Sequence, residues 1–118
     1  MTKAAIFVLA DTQNEEDLGR VVNALEAAKG FRQAGDNVQL IFDGTGTRWP
    51  GVLAQPEHIA HGLYQEMRGQ VVGVCSFCAT AFGGKESAVS LGLELLDKVD
   101  GHVGINKLLD EGYHVFTF

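Results

Sequence analysis

The fold is decided by the apolar stretch AAIFVLA, residues 4–10, near the start of the chain. Seven consecutive apolar residues that include Ile6 and Val8 are typical of a strand buried on both faces of a parallel sheet. The stretch is about a third of the length that spans a bilayer, and only Lys3 provides a charge before it. It therefore predicts a core strand rather than a membrane segment or a signal peptide.

A helix and a second strand follow this first strand. Asn14 is predicted to cap a helix that closes at Gly35, and acidic residues fill its first turn. Its apolar residues repeat at helical spacing: Leu18, Val21, Val22, Leu25 and Ala28. Residues 38–42 then predict a second strand. The order strand, helix, strand indicates a parallel unit with a right-handed crossover.

The same alternation continues to the end of the chain. The predicted elements are a short helical piece over residues 49–54, a helix from Pro56 to Gly69, a strand over residues 70–74, a helix with Ala88, Leu91, Leu95 and Val99 on its apolar face, a short helix with Ile105, Leu108 and Leu109 that ends near Gly112, and a strand over residues 113–118. The pattern predicts an α/β fold with helices packed on a layered sheet.

Length and composition indicate one globular domain over residues 1–118. The chain is 46% hydrophobic and 20% charged, with 9 basic and 15 acidic residues and a formal net charge of -6. Because no basic cluster is present, we expect no nucleic-acid partner, and the sequence predicts no membrane partner. The two cysteines, Cys75 and Cys78, lie three positions apart, which favours cytoplasmic thiol chemistry over a structural disulfide.

Loops that follow parallel strands collect at one edge of the sheet, where ligands usually bind. Three predicted loops, residues 11–14, 43–48 and 75–84, therefore converge. We expect Cys75 to be an exposed thiol at this edge, stabilised as a thiolate if a helix begins near Ser76, with Cys78 as a second catalytic thiol or a packing residue. The residues predicted to bind substrate are Asp11, Thr12, Asp43, Gly44, Arg48 and Phe82.

Three other chemistries use residues of these types. A thioredoxin-type motif is expected near an early strand, whereas this cysteine pair follows the third strand. Cys75 and Cys78 have the spacing of half a zinc site, and the histidines are His58, His61, His102 and His114, yet no second paired motif exists. The sequence therefore predicts no metal site and no cofactor. The loop of residues 43–47 favours a strain-relieving glycine turn over a phosphate loop.

The motifs together resemble the DsrE family. The resemblance rests on Asp11-Thr12 after the first strand, residues 19–25 in the first helix, residues 42–44 after the second strand, Cys75 followed eight positions later by Gly83, and residues 108–118 at the end. It spans nearly the whole chain. The cysteine pair is similar to a form seen in YchN-like members.

The resemblance implies both a fold and an activity. The implied fold is a three-layer α/β/α sandwich with a mainly parallel sheet of about five strands, assembled into trimers or hexamers. Sulfur carriers of the DsrE and TusD type hold a persulfide on the cysteine that Cys75 matches, and they work with sulfur-donor and acceptor proteins. Phe82 here stands where those carriers have an arginine before Gly83, so Arg48 or Lys85 would supply the positive charge.

Sulfur transfer or a related thiol exchange at Cys75 is therefore the expected function, as a sulfurtransferase or sulfur carrier. The alternative is a non-catalytic module of the same fold that binds a small ligand or assembles with partners, in which the cysteines only pack. Exposed aromatic residues near the predicted crevice, Trp49, Phe77 and Phe82, favour a homo-oligomer or packing within the chain.

Overall fold

A computed structural model describes residues 1–118 and contains a five-stranded, entirely parallel sheet. The strands are β1 (Lys3–Val8), β2 (Asn37–Phe42), β3 (Val71–Cys75), β4 (Glu94–Leu96) and β5 (His114–Thr117), and they lie in the order β4-β3-β2-β1-β5. The helices are α1 (Glu15–Gln33), α2 (Trp49–Leu53), α3 (His61–Met67), α4 (Ser76–Ala81), α5 (Lys85–Ser90) and α6 (Ile105–Asp110). The predicted α/β class and the α/β/α sandwich are confirmed.

Strand β1 divides the core between the two faces of the sheet, because successive side chains of a strand point in opposite directions. Ala4, Ile6 and Val8 join a cluster of 20 buried residues on what we term the first face. Ala5 and Phe7 join a cluster of 5 buried residues on the second face. Both sets are almost completely buried, as the continuous apolar stretch predicts.

Helix α1 forms as its sequence predicts. The Asn14 side chain accepts a hydrogen bond from the Asp17 backbone N–H at 3.0 Å, and the Asp17 carboxylate accepts one from the Asn14 N–H at 3.3 Å. This reciprocal capping box satisfies two backbone donors at the helix start. The buried face of the helix covers the first face of the sheet with Val21, Ala24, Leu25 and Ala28.

Strand β3 contains an irregularity that determines on which face of the sheet Cys75 lies. Leu40 of β2 pairs with Val71, but the next residue of β2, Ile41, pairs with Gly73, so Val72 is an extra residue in the ladder. An extra residue of this kind reverses which face the following side chains occupy. Cys75 consequently pairs with Leu96, which packs on the second face, instead of pointing to the large first-face cluster.

Two predicted helices have different bounds in the structure. The helix predicted to start at Pro56 begins only at His61, because residues 54–60 form turns in which the His58 ring accepts the Ala60 N–H at 3.0 Å. The helix predicted through Val99 ends at Ser90.

A Schellman motif explains this second correction. Gly92 adopts φ +74, its N–H donates to Val89, and the Leu93 N–H donates to the carbonyl of Ala88 at 2.9 Å. The chain then turns into β4, so Leu95 lies in a strand that the helical spacing did not predict. No helix of the structure has the length and apolar character required to cross a bilayer.

Candidate functional site

Cys75 is the last residue of β3 and directly precedes α4, which begins at Ser76 as predicted. Its sulfur lies 3.5 Å from Nδ1 of His102 and 3.9 Å from the carbonyl oxygen of Gly101. The residue is 0% exposed, so the expectation of an exposed sulfur is wrong. Burial arises because the turn that contains Gly101 and His102 closes over the end of the strand, and both residues place polar atoms beside the thiol.

Cys78 lies one helical turn farther along α4 and is half-buried. Its sulfur is 4.0 Å from the same His102 nitrogen. Burial raises the pKa of the Cys78 thiol, and the adjacent Cys75 thiol and the Asp43 carboxylate act in the same direction. The backbone N–H of Gly44 opposes this shift, since a donor stabilises the thiolate. Asp43 and Gly44, both predicted site residues, therefore lie beside Cys78.

His102 is a residue of the candidate site that the sequence did not identify. Val99 and His102 exchange two backbone hydrogen bonds, of 3.0 and 2.7 Å, across the intervening residues Asp100 and Gly101. These two residues have φ values of 50 and 83, which is the pattern of a type I′ hairpin turn. The dipeptide Asp-Gly is the strongest short-range signal for such a turn, so the sequence contained a clue to this hairpin.

Phe77 joins the turn to the start of α4. Its backbone N–H donates to the Gly101 carbonyl at 2.8 Å, and its ring lies 4.5 Å from the His102 ring, centroid to centroid. The Phe77 side chain is 56% exposed and borders an open cavity of about 380 Å³ with Ser76, Thr80, Ala81 and Gly101. The histidine is thus held between the two sulfurs and an exposed aromatic ring.

A second group of predicted residues assembles around Arg48. Its guanidinium contacts the Asp11 carboxylate at 2.9 Å, donates to the Phe82 carbonyl at 2.9 Å, and lies 5.6 Å from the centre of the Phe82 ring. The Thr12 backbone N–H and the Arg48 guanidinium hold the pKa of Asp11 below its usual value. Asp11, Thr12, Arg48 and Phe82 therefore form one cluster, whereas no contact joins the Arg48 guanidinium to either thiol.

The remaining candidates lie elsewhere. Lys85 borders a cavity of about 550 Å³ between α4 and α5. The His61 ring contacts the Leu53 carbonyl at 2.7 Å, and His58 lies in the turns before α3, so the two histidines do not lie on one helix. Trp49 is buried and its indole N–H donates to Ala10, which makes it a core residue of the chain.

The thiols and the imidazole form one group of potential ligands. The Sγ atoms of Cys75 and Cys78 and a ring nitrogen of His102 all lie within 4.8 Å of one another. Such a group offers two nucleophilic sulfurs, a proton acceptor between them, and a donor set for a soft cation.

Comparison with known proteins finds a relative of this chain. It is an uncharacterized protein of Methanocaldococcus jannaschii, MJ0733, which is 28% identical over 103 residues, covering 87% of this chain and 84% of the relative. No family model matches the chain. No solved structure matches it either.

Proposed function

We propose that the protein transfers sulfur, or exchanges thiols, through Cys75 in the manner implied by its resemblance to the DsrE family. The observation that carries the proposal is the convergence of two free thiols and the Nδ1 atom of His102 at the carboxyl end of β3. A sulfur carrier requires a thiol that can be deprotonated and a structure that holds the product. The pair and the histidine supply these features.

The transfer step needs one proton acceptor and no external oxidant. His102 accepts the proton of the Cys75 thiol across their 3.5 Å separation. The thiolate attacks the outer sulfur of a donor persulfide, the donor sulfur–sulfur bond breaks, and a new one forms on Cys75. The donor leaves as a thiolate and takes up the proton from His102. Delivery to an acceptor thiol is the reverse of this exchange.

Cys78 gives the site a second reaction. Its sulfur lies within 4.8 Å of Cys75, in reach of a small side-chain movement. Cys78 would pass its proton to His102 and attack the inner sulfur of a Cys75 persulfide, which would form a disulfide between the two cysteines and release hydrosulfide. The site can therefore both hold a sulfane sulfur and discharge it.

Entry to Cys75 requires motion of the turn over it. The thiol is buried beneath Gly101 and His102, whereas Cys78 is half-buried. Residues 99–102 form a small hairpin tied to α4 through the bond from Phe77 to Gly101. We infer that a donor approaches past the exposed Phe77 ring and that this hairpin opens to admit it.

Assembly into trimers or hexamers and a cytoplasmic location belong to the same proposal. Phe82 and Val89 expose apolar surface near α4 and α5, and burying them against a second copy would remove this surface from water. Free thiols persist in a reducing compartment. Donor and acceptor proteins would meet the assembly at the same edge. Sedimentation velocity tests the assembly, and a monomer at all concentrations contradicts it.

One observation favours the alternative function. Complete burial of Cys75 is what a packing cysteine shows, since free cysteine is among the most buried residue types. In that case the fold is a module that binds a small ligand or a partner without sulfur chemistry. The two functions differ in whether Cys75 can accept a sulfur atom and form a persulfide.

Persulfide loading of the reduced protein separates the two functions. We expect incubation with a low-molecular-weight persulfide to add one sulfur atom to Cys75, detected by intact-mass and peptide mass spectrometry. Cys75→Ala should abolish the addition, and Cys78→Ala should retain it and prolong its lifetime. His102→Asn should slow loading while leaving the circular dichroism spectrum unchanged. A Cys78→Ala mass that stays unmodified, or equal loading of Cys75→Ala, refutes sulfur transfer at Cys75.

A further inference from the structure

We propose that Cys75, Cys78 and His102 form a binding site for one zinc-like divalent cation, with a fourth coordination position open to water or an external ligand. The inference does not depend on sulfur transfer. It rests on the donor set, on the distances between the donors, and on the three backbone elements that carry them.

The distances fit three corners of a tetrahedron. Zinc lies about 2.3 Å from a thiolate sulfur and about 2.0 Å from an imidazole nitrogen, so a tetrahedral site separates sulfur from nitrogen by about 3.5 Å and sulfur from sulfur by about 3.8 Å. The Cys75 sulfur is 3.5 Å from His102 Nδ1, and the Cys78 sulfur is 4.0 Å from it. The whole group lies within 4.8 Å, so a bound ion requires shifts of only about 1 Å.

The three ligands come from three backbone elements that already hold them. Cys75 ends β3, Cys78 lies in the first turns of α4, and His102 closes the type I′ turn. The Phe77 N–H bond to Gly101 ties the turn to the helix. Because these positions are set before an ion arrives, little ordering is required for binding.

The chemistry of the donors selects the cation. Two sulfurs and one imidazole form a Cys₂His set, which matches zinc and other borderline or soft divalent ions and disfavours magnesium and calcium. Two thiolates balance the charge of a divalent ion, and their protons leave to water on binding. The Asp43 carboxylate beside Cys78 adds negative potential, whereas the Arg48 guanidinium is paired with Asp11.

Three protein ligands leave one position free, as in catalytic zinc sites. Phe77 and the cavity of about 380 Å³ border the turn that carries His102. The open position would accept water or a small thiol or anion from this side. A bound ion would also occupy the Cys75 sulfur, so metal binding and persulfide loading would exclude each other.

Cobalt serves as the probe because Co²⁺ replaces zinc and its thiolate complexes absorb light. We expect the reduced, chelator-treated full chain to bind one Co²⁺ per chain, with thiolate-to-cobalt charge-transfer bands and the intense visible bands of a tetrahedral ion, and Zn²⁺ should remove both. Cys78→Ser, Cys75→Ala and His102→Asn should each weaken Zn²⁺ binding at least about tenfold in competition with a chromophoric chelator.

His114→Asn is the matched control, since His114 is exposed on β5 and away from the thiols. It should bind both ions like the wild type, and circular dichroism confirms that each variant is folded. Absence of charge-transfer bands at stoichiometric Co²⁺, bands that persist in Cys75→Ala, or equal weakening by His114→Asn each overturns the site. The persulfide assay is run on metal-free protein, so its outcome is independent of this one.

Discussion

The two faces of the sheet are covered unequally. The first face packs against α1, α2, α3 and α5 around a cluster of 20 buried residues, whereas the second face has a cluster of 5, covered by α6 and the segment that leads to it. The candidate site belongs to the second face, because Cys75 pairs with Leu96 there and His102 directly precedes Val103. Most buried apolar side chains lie on the first face, and the candidate site lies under the thinner cover, where we expect a local opening to disrupt few contacts.

Two adjacent residues of β2 provide the most direct test of this comparison. Leu40 lies in the first-face cluster, Ile41 lies in the second-face cluster, and both are almost completely buried. We expect Leu40→Ala to lower the free energy of unfolding by about 4 kcal/mol and Ile41→Ala by about 2 kcal/mol. The smaller loss follows because Ile41 borders an open cavity of about 190 Å³, into which neighbouring side chains can relax.

Urea denaturation followed by circular dichroism measures both losses. Equal losses, or a larger loss for Ile41→Ala, would show that the second face is as tightly packed as the first. The unfolding free energy should depend on urea concentration with a similar slope in both variants, which would show that neither substitution alters the denatured state.

Two glycines extend the comparison of the two faces from stability to the accessibility of the Cys75 thiol. Gly92 ends α5 on the first face with φ +74, and Gly101 lies in the turn over Cys75 with φ +83. Replacing either with alanine should cost about 1–2 kcal/mol, because a side chain disfavours the left-handed conformation. Only Gly101→Ala should also raise the iodoacetamide alkylation rate of Cys75 several-fold, since that turn covers the thiol. A similar rise of the alkylation rate in Gly92→Ala would show that the reagent reaches Cys75 through global unfolding and not through opening of this turn.

The two buried tyrosines give the smallest expected effects, of opposite sign. The Tyr64 hydroxyl on the first face has no hydrogen-bond partner, whereas the Tyr113 hydroxyl on the second face accepts a bond from Gln39 at 3.0 Å. At neutral pH, Tyr64→Phe should stabilise the protein by up to about 1 kcal/mol, and Tyr113→Phe should destabilise it by about 1 kcal/mol. Thermal unfolding of both variants beside the wild type measures the signs, and destabilisation by Tyr64→Phe contradicts this account.

The Tyr64 effect should grow with pH. Burial raises the pKa of Tyr64, so the native state holds this proton more tightly than the unfolded chain does. Stability from this group is fully present below the ordinary tyrosine pKa of about 10 and is lost as the pH rises from there toward the native value. The advantage of Tyr64→Phe over the wild type should therefore increase above about pH 10. A constant difference across that range would contradict the raised pKa.

Sequence reasoning predicted the elements whose signals are local. The apolar stretch of β1, the cap at Asn14 and the cysteines at the end of β3 each carry their evidence within a few residues, and the structure places them as expected. The strand β4 was missed because it has three residues, and Ala88, Leu91 and Leu95 imitate a helical face. Gly92 was the signal that breaks this pattern.

The site was half predictable for the same reason. Cys75 and Cys78 are neighbours in sequence, whereas His102 reaches them only through the hairpin that follows β4. Because the apolar spacing predicts a helix across β4, the sequence offers no strand before the Asp-Gly turn and no identifiable partner for His102. The three loops are predicted to form one site. In the structure Arg48 pairs with Asp11, so the cluster around Arg48 is separate from the two thiols.

The irregularity in β3 makes the position of the Cys75 sulfur depend on the register of the strand as well as on its residue types. If Val72 were instead paired in a regular ladder, each later position of the strand would exchange sides, and the Cys75 sulfur would point into the hydrocarbon interior behind α1. Substitutions along this strand can be absorbed by packing, whereas loss of the bulge with Val72 retained would turn the thiol to the other face of the sheet. Homologous chains that keep the site must therefore either retain the bulge or lack the extra residue that it accommodates.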